Sequence, residues 1–308
     1  FGSGNYPGLD VNTSKYNRVI SVNATDPYFT VDGISRTIDL YHRALRPYAD
    51  QGGNYRLLTT GAGLRFGIPF SETDRVFVGM NAEQTTIQAG TNIPAAYLTY
   101  AETYGYTSWA APLTLGWSRD DRDSALAPNS GRYQRFNSEL GMIGDARYTR
   151  NNYQYQQYVP ITKKFTFAFN GEIGLGKGLG GRPFPVFKNF YGGGLGSVRG
   201  FDQGTLGPHD VTGAIVGGAK KVVFNAEVTA PFPGAGNDRT LRVFGFTDVG
   251  NIFGENEKIT SSQLRTSVGV GLSWVSPMGP LRFAIANPVR KFPGDRIQRL
   301  QFQIGTSF

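Results

Sequence analysis

Apolar and polar residues alternate at every second position through most of this chain, in segments of roughly ten residues divided by turn formers. Over 165–175, Phe165, Phe167, Phe169, Ile173 and Leu175 share one face, and Thr166, Ala168, Asn170, Glu172 and Gly174 share the other. Over 264–274, Leu264, Val268, Val270, Leu272 and Trp274 alternate with Arg265, Ser267, Gly269, Gly271 and Ser273. Over 222–232, Val222, Phe224, Ala226, Val228 and Phe232 oppose Val223, Asn225, Glu227 and Thr229. Period two is the signature of a strand with two unlike faces. An all-β fold follows.

A soluble sandwich also alternates, so the nature of each face decides the class. The polar faces are rich in Gly, Ser, Asn and Gln, which suits a wet interior better than a charged exterior. Aromatic residues gather near strand ends, as at Pro27-Tyr28-Phe29 and Pro231-Phe232-Pro233, where interfacial girdles sit in a membrane barrel. No apolar run approaches the ~18 residues of a membrane-spanning helix. The mean hydropathy of −0.29 is what strands with one apolar face produce. About 14 strands are predicted, at 5–12, 16–25, 34–46, 53–69, 74–90, 107–119, 131–146, 147–160, 165–176, 220–232, 239–253, 264–276, 280–289 and 297–308. The turns at 71–74, 162–164, 234–238 and 277–279 are short and read as the periplasmic side. The stretches 91–106 and 177–219 read as the outer side, with a short surface helix possible at 95–104. An open sheet edge is costly in hydrocarbon, because each unpaired backbone group there costs several kcal/mol. The expectation is a single transmembrane antiparallel β-barrel domain over 1–308, with no linker or second domain.

Composition narrows the functions available. The chain has no Cys, as suits an oxidising periplasm, and only two His, His42 and His209, so no zinc set can form. The net charge of +8 is spread along the chain without a basic block, which argues against nucleic acid. Turns and lumen walls account for it, with attraction to anionic lipid head groups as the sharper reading. There is no Walker A motif, no G-x-S-x-G elbow and no positioned carboxylate dyad. Neither an enzyme activity nor a cofactor is assigned.

The segment 177–219 is far longer than a hairpin needs. Structureless loops beyond ~12–15 residues are usually functional or disordered. This one carries Phe184, Phe187, Phe190, Tyr191, Leu195, Val198 and Phe201, and the run Gly192-Gly193-Gly194-Leu195-Gly196-Ser197 just before Val198-Arg199-Gly200-Phe201. An apolar, glycine-rich loop with one central Arg is suited to folding back into the lumen.

Val198-Arg199-Gly200-Phe201 resembles the VRGF/Y motif of the superfamily of outer-membrane assembly factors and two-partner-secretion transporters. Asp26-Pro27-Tyr28-Phe29-Thr30-Val31-Asp32-Gly33, Trp274-Val275-Ser276-Pro277-Met278-Gly279-Pro280-Leu281, Lys291-Phe292-Pro293-Gly294-Asp295 and the Gln-Phe-Gln-Ile-Gly run at 301–305 resemble hairpins of its BamA family, in order along nearly the whole chain. The resemblance implies a 16-stranded barrel, with two strands and the periplasmic POTRA domains preceding Phe1. Phe1-Gly2-Ser3-Gly4 reads as a loop, and the targeting sequence lies outside the chain. The last strand then lacks its partner at the lateral seam.

The resemblance also implies roles. Arg199 matches the family's loop arginine, Glu227 the acid on the following strand, and Asp248 the acid on the next. Glu227 lies on a polar face, where Arg suits a carboxylate. The alternation around Asp248 is less clean, because Phe244 and Phe246 share its face. The alternative for each acid is a solvated lumen wall. The last strand, with Leu300, Phe302, Ile304 and the terminal Phe308 alternating, matches the family's C-terminal signal. Gly305 matches the glycine at which that strand bends, or else is incidental. The implied function is folding and insertion of outer-membrane proteins, with a substrate strand templated at the seam. Implied partners are unfolded outer-membrane proteins, lipids and lipopolysaccharide, and accessory lipoproteins, the last chiefly through the POTRA domains. An exporter of the same superfamily is the near alternative and a passive diffusion porin the distant one.

Overall fold

The computed structural model describes residues 6–13, 17–45, 55–88, 90, 93–211, 213–234, 240–276 and 279–304. Phe1–Gly4, the turn residues 235–238, Pro277, Met278, Gly305 and Phe308 lie outside the described residues.

Strands dominate. They are β1 (Tyr6–Thr13), β2 (Asn17–Asp26), β3 (Ser35–Leu45), β4 (Arg56–Pro69), β5 (Asp74–Gln88), β6 (Thr107–Ala110), β7 (Leu113–Asp120), β8 (Gly131–Gly141), β9 (Tyr148–Pro160), β10 (Thr166–Gly178), β11 (Gly200–Phe201), β12 (Lys220–Pro231), β13 (Leu241–Phe253), β14 (Arg265–Ser276), β15 (Gly279–Arg290), β16 (Ile297–Gln298) and β17 (Leu300–Ile304). Among the described residues one antiparallel sheet runs β1-β2-β3-β4-β5-β7-β8-β9-β10-β12-β13-β14-β15-β17, with β6 added to β5. These are the fourteen strands the alternation marks. No ladder joins β1 to β17 among the described residues. The chain's one described α-helix, α1 (Ala95–Tyr104), is far too short to cross a membrane.

The faces divide by parity. On β14, Val268, Val270, Leu272 and Trp274 are exposed, while Ser267 is fully buried. On β17, Leu300, Phe302 and Ile304 are exposed and Gln301 is buried. The exposed apolar set forms the lipid-facing wall. Inside, a cavity of about 840 Å³ is lined by polar side chains such as Asp39, Arg65, Asn81, Thr85, Asn137 and Asn152.

Three details depart from the sequence reading. The strand expected at 107–119 is interrupted at Ala111-Pro112. Proline has no N–H for a ladder, and Ala111 instead donates to the Ile143 carbonyl at 3.0 Å. The last strand is interrupted at Arg299, and β16 leaves the wall to pair with β11 inside. The helix α1 exposes Thr99, Glu102 and Thr103 as a surface helix does, but its other side is packed inward. It starts after Pro94 and stops at Gly105, whose φ of 98° is open to glycine. It buries Tyr97, Tyr100 and Ala101 against Tyr55, Leu57, Ile87 and Ile215, and so caps the loop end of the lumen.

The inner wall is not wet throughout. Phe244 and Phe246 point inward and pack with Ala284 and Ala286. They stand in register with Gly271 and Gly269. A Cβ at Gly269 would meet both the Phe246 ring, at 2.5 Å, and the Ile285 carbonyl. The glycines on the inner face of β14 therefore make room for two rings.

Gly269→Ala should destabilise the barrel by about 1–3 kcal/mol through overpacking, read as a lower unfolding midpoint in urea. Val270→Arg, at an outward position 62% exposed, should cost about 2–4 kcal/mol in a bilayer if that face meets lipid. The same protein in a soluble-sandwich arrangement would tolerate it.

Candidate functional site

The loop between β10 and β12 fills part of the lumen and is structured by its own pairing. Phe190 bridges Gly218, Gly192 bridges Leu206, and His209 bridges Ile215. Val198, Phe201 and Leu206 bury themselves against Val223 of β12. This small apolar core holds Arg199 against the barrel wall, and Arg199 is 3% exposed.

The guanidinium meets Asp248 of β13 through two bonds. Nε donates to Oδ2 at 2.7 Å and Nη2 donates to Oδ1 at 2.7 Å. The backbone N–H of Arg199 donates to Oδ2 at 3.0 Å, and Asn225 Nδ2 donates to Oδ1 at 2.8 Å. Asp248 is wholly buried, and these bonds occupy both its oxygens. Nη1 of Arg199 donates to Glu227 Oε2 of β12 at 2.9 Å. Glu227 also accepts from Arg282 Nη2 of β15, at 2.7 and 2.5 Å. Two arginines and two carboxylates thus form one cluster whose charges cancel. The arginine also lies 3.5 Å above the Phe246 ring centroid, a cation–π geometry. The aromatic positions that blur the alternation around Asp248 form this shelf. Burial works against the charge of Arg199, but its hydrogen bonds to Asp248 and the two nearby carboxylates hold its pKa above the ordinary arginine value.

Arg282 carries no motif in the sequence and enters only through geometry. Its one available signal was an inward-facing cation near the end of a barrel, which needs a partner. Lys188 was missed as well. It lies in a 3-10 turn, Val186–Lys188, and its Nζ bridges Glu83 Oε1 of β5 and Glu139 Oε1 of β8, each at 2.6 Å. Tyr41 donates to Glu83 at 3.1 Å, and Tyr148 donates to Glu139. Arg150 Nε donates to the Lys188 carbonyl at 3.0 Å. The loop is therefore tied by charge at two places, to β12 and β13 on one side and to β5 and β8 on the other.

The residues of the last strand and those of the lumen loop motif lie on opposite faces of the wall. Leu300, Phe302 and Ile304 face outward on β17, which pairs with β15 over Leu281–Ile285. Val198, Arg199, Gly200 and Phe201 lie buried in the lumen. Gly200 and Phe201 form β11 and pair with Gln298 and Ile297.

The chain matches the Omp85 superfamily domain over residues 1–308. The outer membrane protein assembly factor BamA of Neisseria meningitidis is 37% identical to it, over 100% of this chain and 44% of that protein. BamA of Nitratidesulfovibrio vulgaris is 26% identical, over 94% of this chain and 36% of that protein. Among solved structures, BamA from Haemophilus ducreyi lacking POTRA domains 1–3 superposes with a TM-score of 0.89 at 23% identity, over 98% of this chain and 64% of that one. CdiB from Acinetobacter baumannii reaches 0.58 at 16% identity, over 93% and 48%. These two likenesses are of fold. The chain spans less than half the length of the curated relatives it matches. An apolar outer wall and whole-chain similarity to outer-membrane proteins place it in the outer membrane. With a domain match from first residue to last and a barrel of the same fold, this chain belongs to the Omp85 superfamily.

Proposed function

We propose that the chain is the membrane-embedded core of machinery that folds β-barrel proteins and inserts them into the outer membrane. The observation that carries this reading is the lumen loop clasped through Arg199 beside a terminal strand whose first residues, Ile297 and Gln298, pair with the loop instead of the wall. Among the described residues β17 pairs with β15 over Leu281–Ile285, and the Ala286 N–H donates to the Arg299 carbonyl at 2.9 Å, while β15 continues to Arg290. A strand edge with free N–H and C=O groups is a template for an incoming strand. Substrate folding supplies the free energy, so no nucleotide is required. In this reading Leu300, Phe302 and Ile304 form the lipid-facing side of the templating strand. Unfolded outer-membrane proteins are the substrates, and lipids with lipopolysaccharide form the surroundings. Accessory lipoproteins are the remaining partners in this reading. The similarity to proteins named assembly factors supports the reading, as do the hairpin motifs. A diffusion porin needs a passage, and a loop tied at both walls of the lumen opposes one, whereas an exporter shares the loop motif and is disfavoured by the hairpin motifs at 26–33 and 274–281.

Each clasp gives a test in the full-length protein. Arg199→Ala leaves Asp248 buried and unpaired, which costs about 3–5 kcal/mol. The expected results are loss of heat-modifiable migration and failure to support growth as the sole copy. Normal growth and migration would refute the role. Arg199→Lys should rescue little, since a point charge cannot replace the fork. Lys188→Met leaves Glu83 and Glu139 facing each other and should cost about 3 kcal/mol. Adding Glu139→Gln should restore part of that loss, read as the unfolding midpoint in urea. For the activity itself, proteoliposomes of the full-length protein should speed folding of a urea-denatured outer-membrane protein over empty liposomes. Equal rates would overturn the proposal.

A further inference from the structure

The loop does more than rest against the wall, because it holds the terminal strand from inside. Gly200 pairs with Gln298 and Phe201 with Ile297, antiparallel. The Asp202 N–H donates to the Arg296 carbonyl at 3.0 Å. One side chain completes this ladder. Gln301 of β17, 4% exposed, accepts from the Gly200 N–H through Oε1 at 3.3 Å and donates through Nε2 to the Phe201 carbonyl at 2.6 Å. Its carboxamide bonds the loop as a peptide group of a neighbouring strand would. Gly200 has a φ of 90°, and a Cβ there would meet Ala286 at 3.0 Å and Pro288 at 3.3 Å, so the backbone lies flush on β15.

The residue before Gly200 is Arg199. Two consecutive residues thus carry the ionic clasp to β12 and β13 and the amide clasp to β17. We propose that Gln301 is a positioning residue that couples the Arg199 clasp to the placement of the terminal strand. With both clasps made, residues 297–304 are held against the loop. With either broken, that strand is free to leave the lumen side. The proposal rests on the assembly reading only for its purpose, since the coupling is a property of the resting barrel.

The chemistry at position 301 is restrictive. It takes one donor and one acceptor on a side chain of glutamine's length. Gln301→Met keeps the volume and removes both bonds. Gln301→Glu keeps an acceptor but sets a carboxylate against the Phe201 carbonyl.

The test is hydrogen–deuterium exchange on the full-length protein in nanodiscs, without substrate. Losing two hydrogen bonds of ordinary strength should speed exchange across 297–304 by about tenfold in Gln301→Met, and by more in Gln301→Glu. Exchange across 265–276 of β14 should not change. Unaltered exchange at 297–304 would overturn the proposal, as would equal acceleration in both segments, which reports a loosened barrel. Coupling has its own readout. In an Asp248→Asn background, Gln301→Met should add little further acceleration, and additive effects would overturn the coupling. Because no substrate is present, failure here is distinct from failure of the liposome folding assay.

Discussion

The arrangement depends on a buried ion cluster. Asp248 has no exposure and Arg199 almost none. Neither charge is tolerable there alone, since an unpaired ion out of water costs several kcal/mol. Their bidentate contact, the Arg199 N–H and the Asn225 amide satisfy the carboxylate, and Glu227 balances Arg282, the second arginine. The cluster joins the loop to three wall strands, β12, β13 and β15. This makes the loop part of the barrel rather than a mobile insert. The apolar residues around it, Val198, Phe201 and Leu206, exclude water and so strengthen the pairing.

Space for the cluster comes from glycine. Phe246 is the shelf under the guanidinium, and its ring fits because Gly269 stands opposite. Phe244 meets Gly271 in the same way and lies 4.5 Å beneath Arg282. Small residues on one strand thus position large ones on the next, and these position the charges. At the opposite wall Lys188 does with one ammonium what Arg199 does with a fork. It bridges two carboxylates whose mutual repulsion would otherwise part β5 and β8.

The wall strands were legible in the sequence because lipid imposes a strict demand. Every second residue must be apolar, as in Val268, Val270, Leu272 and Trp274. Where the structure is decided by long-range contact, the pattern falls silent. Nothing local marks Arg299 as the point where the last strand is interrupted, because β16 leaves to meet a loop about a hundred residues away. Phe244 and Phe246 blurred the reading of Asp248, since alternation cannot distinguish a ring facing lipid from a ring facing an arginine. Arg199, Glu227 and Asp248 stood out through motif likeness. Lys188, Glu83, Glu139 and Arg282 had none. Glu83 and Glu139 offered only an acid on an inward face, and the partner of such a residue is set by how the sheet curls.

The most direct test of the central claim is a double-mutant cycle on Arg199 and Asp248 in the full-length protein, with Arg199→Met and Asp248→Asn followed by urea unfolding in lipid. If the pair anchors the loop, either single change leaves a buried group unpaired, and the double mutant is less destabilised than the sum by about 2 kcal/mol or more. Additivity within about 0.5 kcal/mol would mean that the two side chains act independently, and the clasp would not be what the barrel rests on.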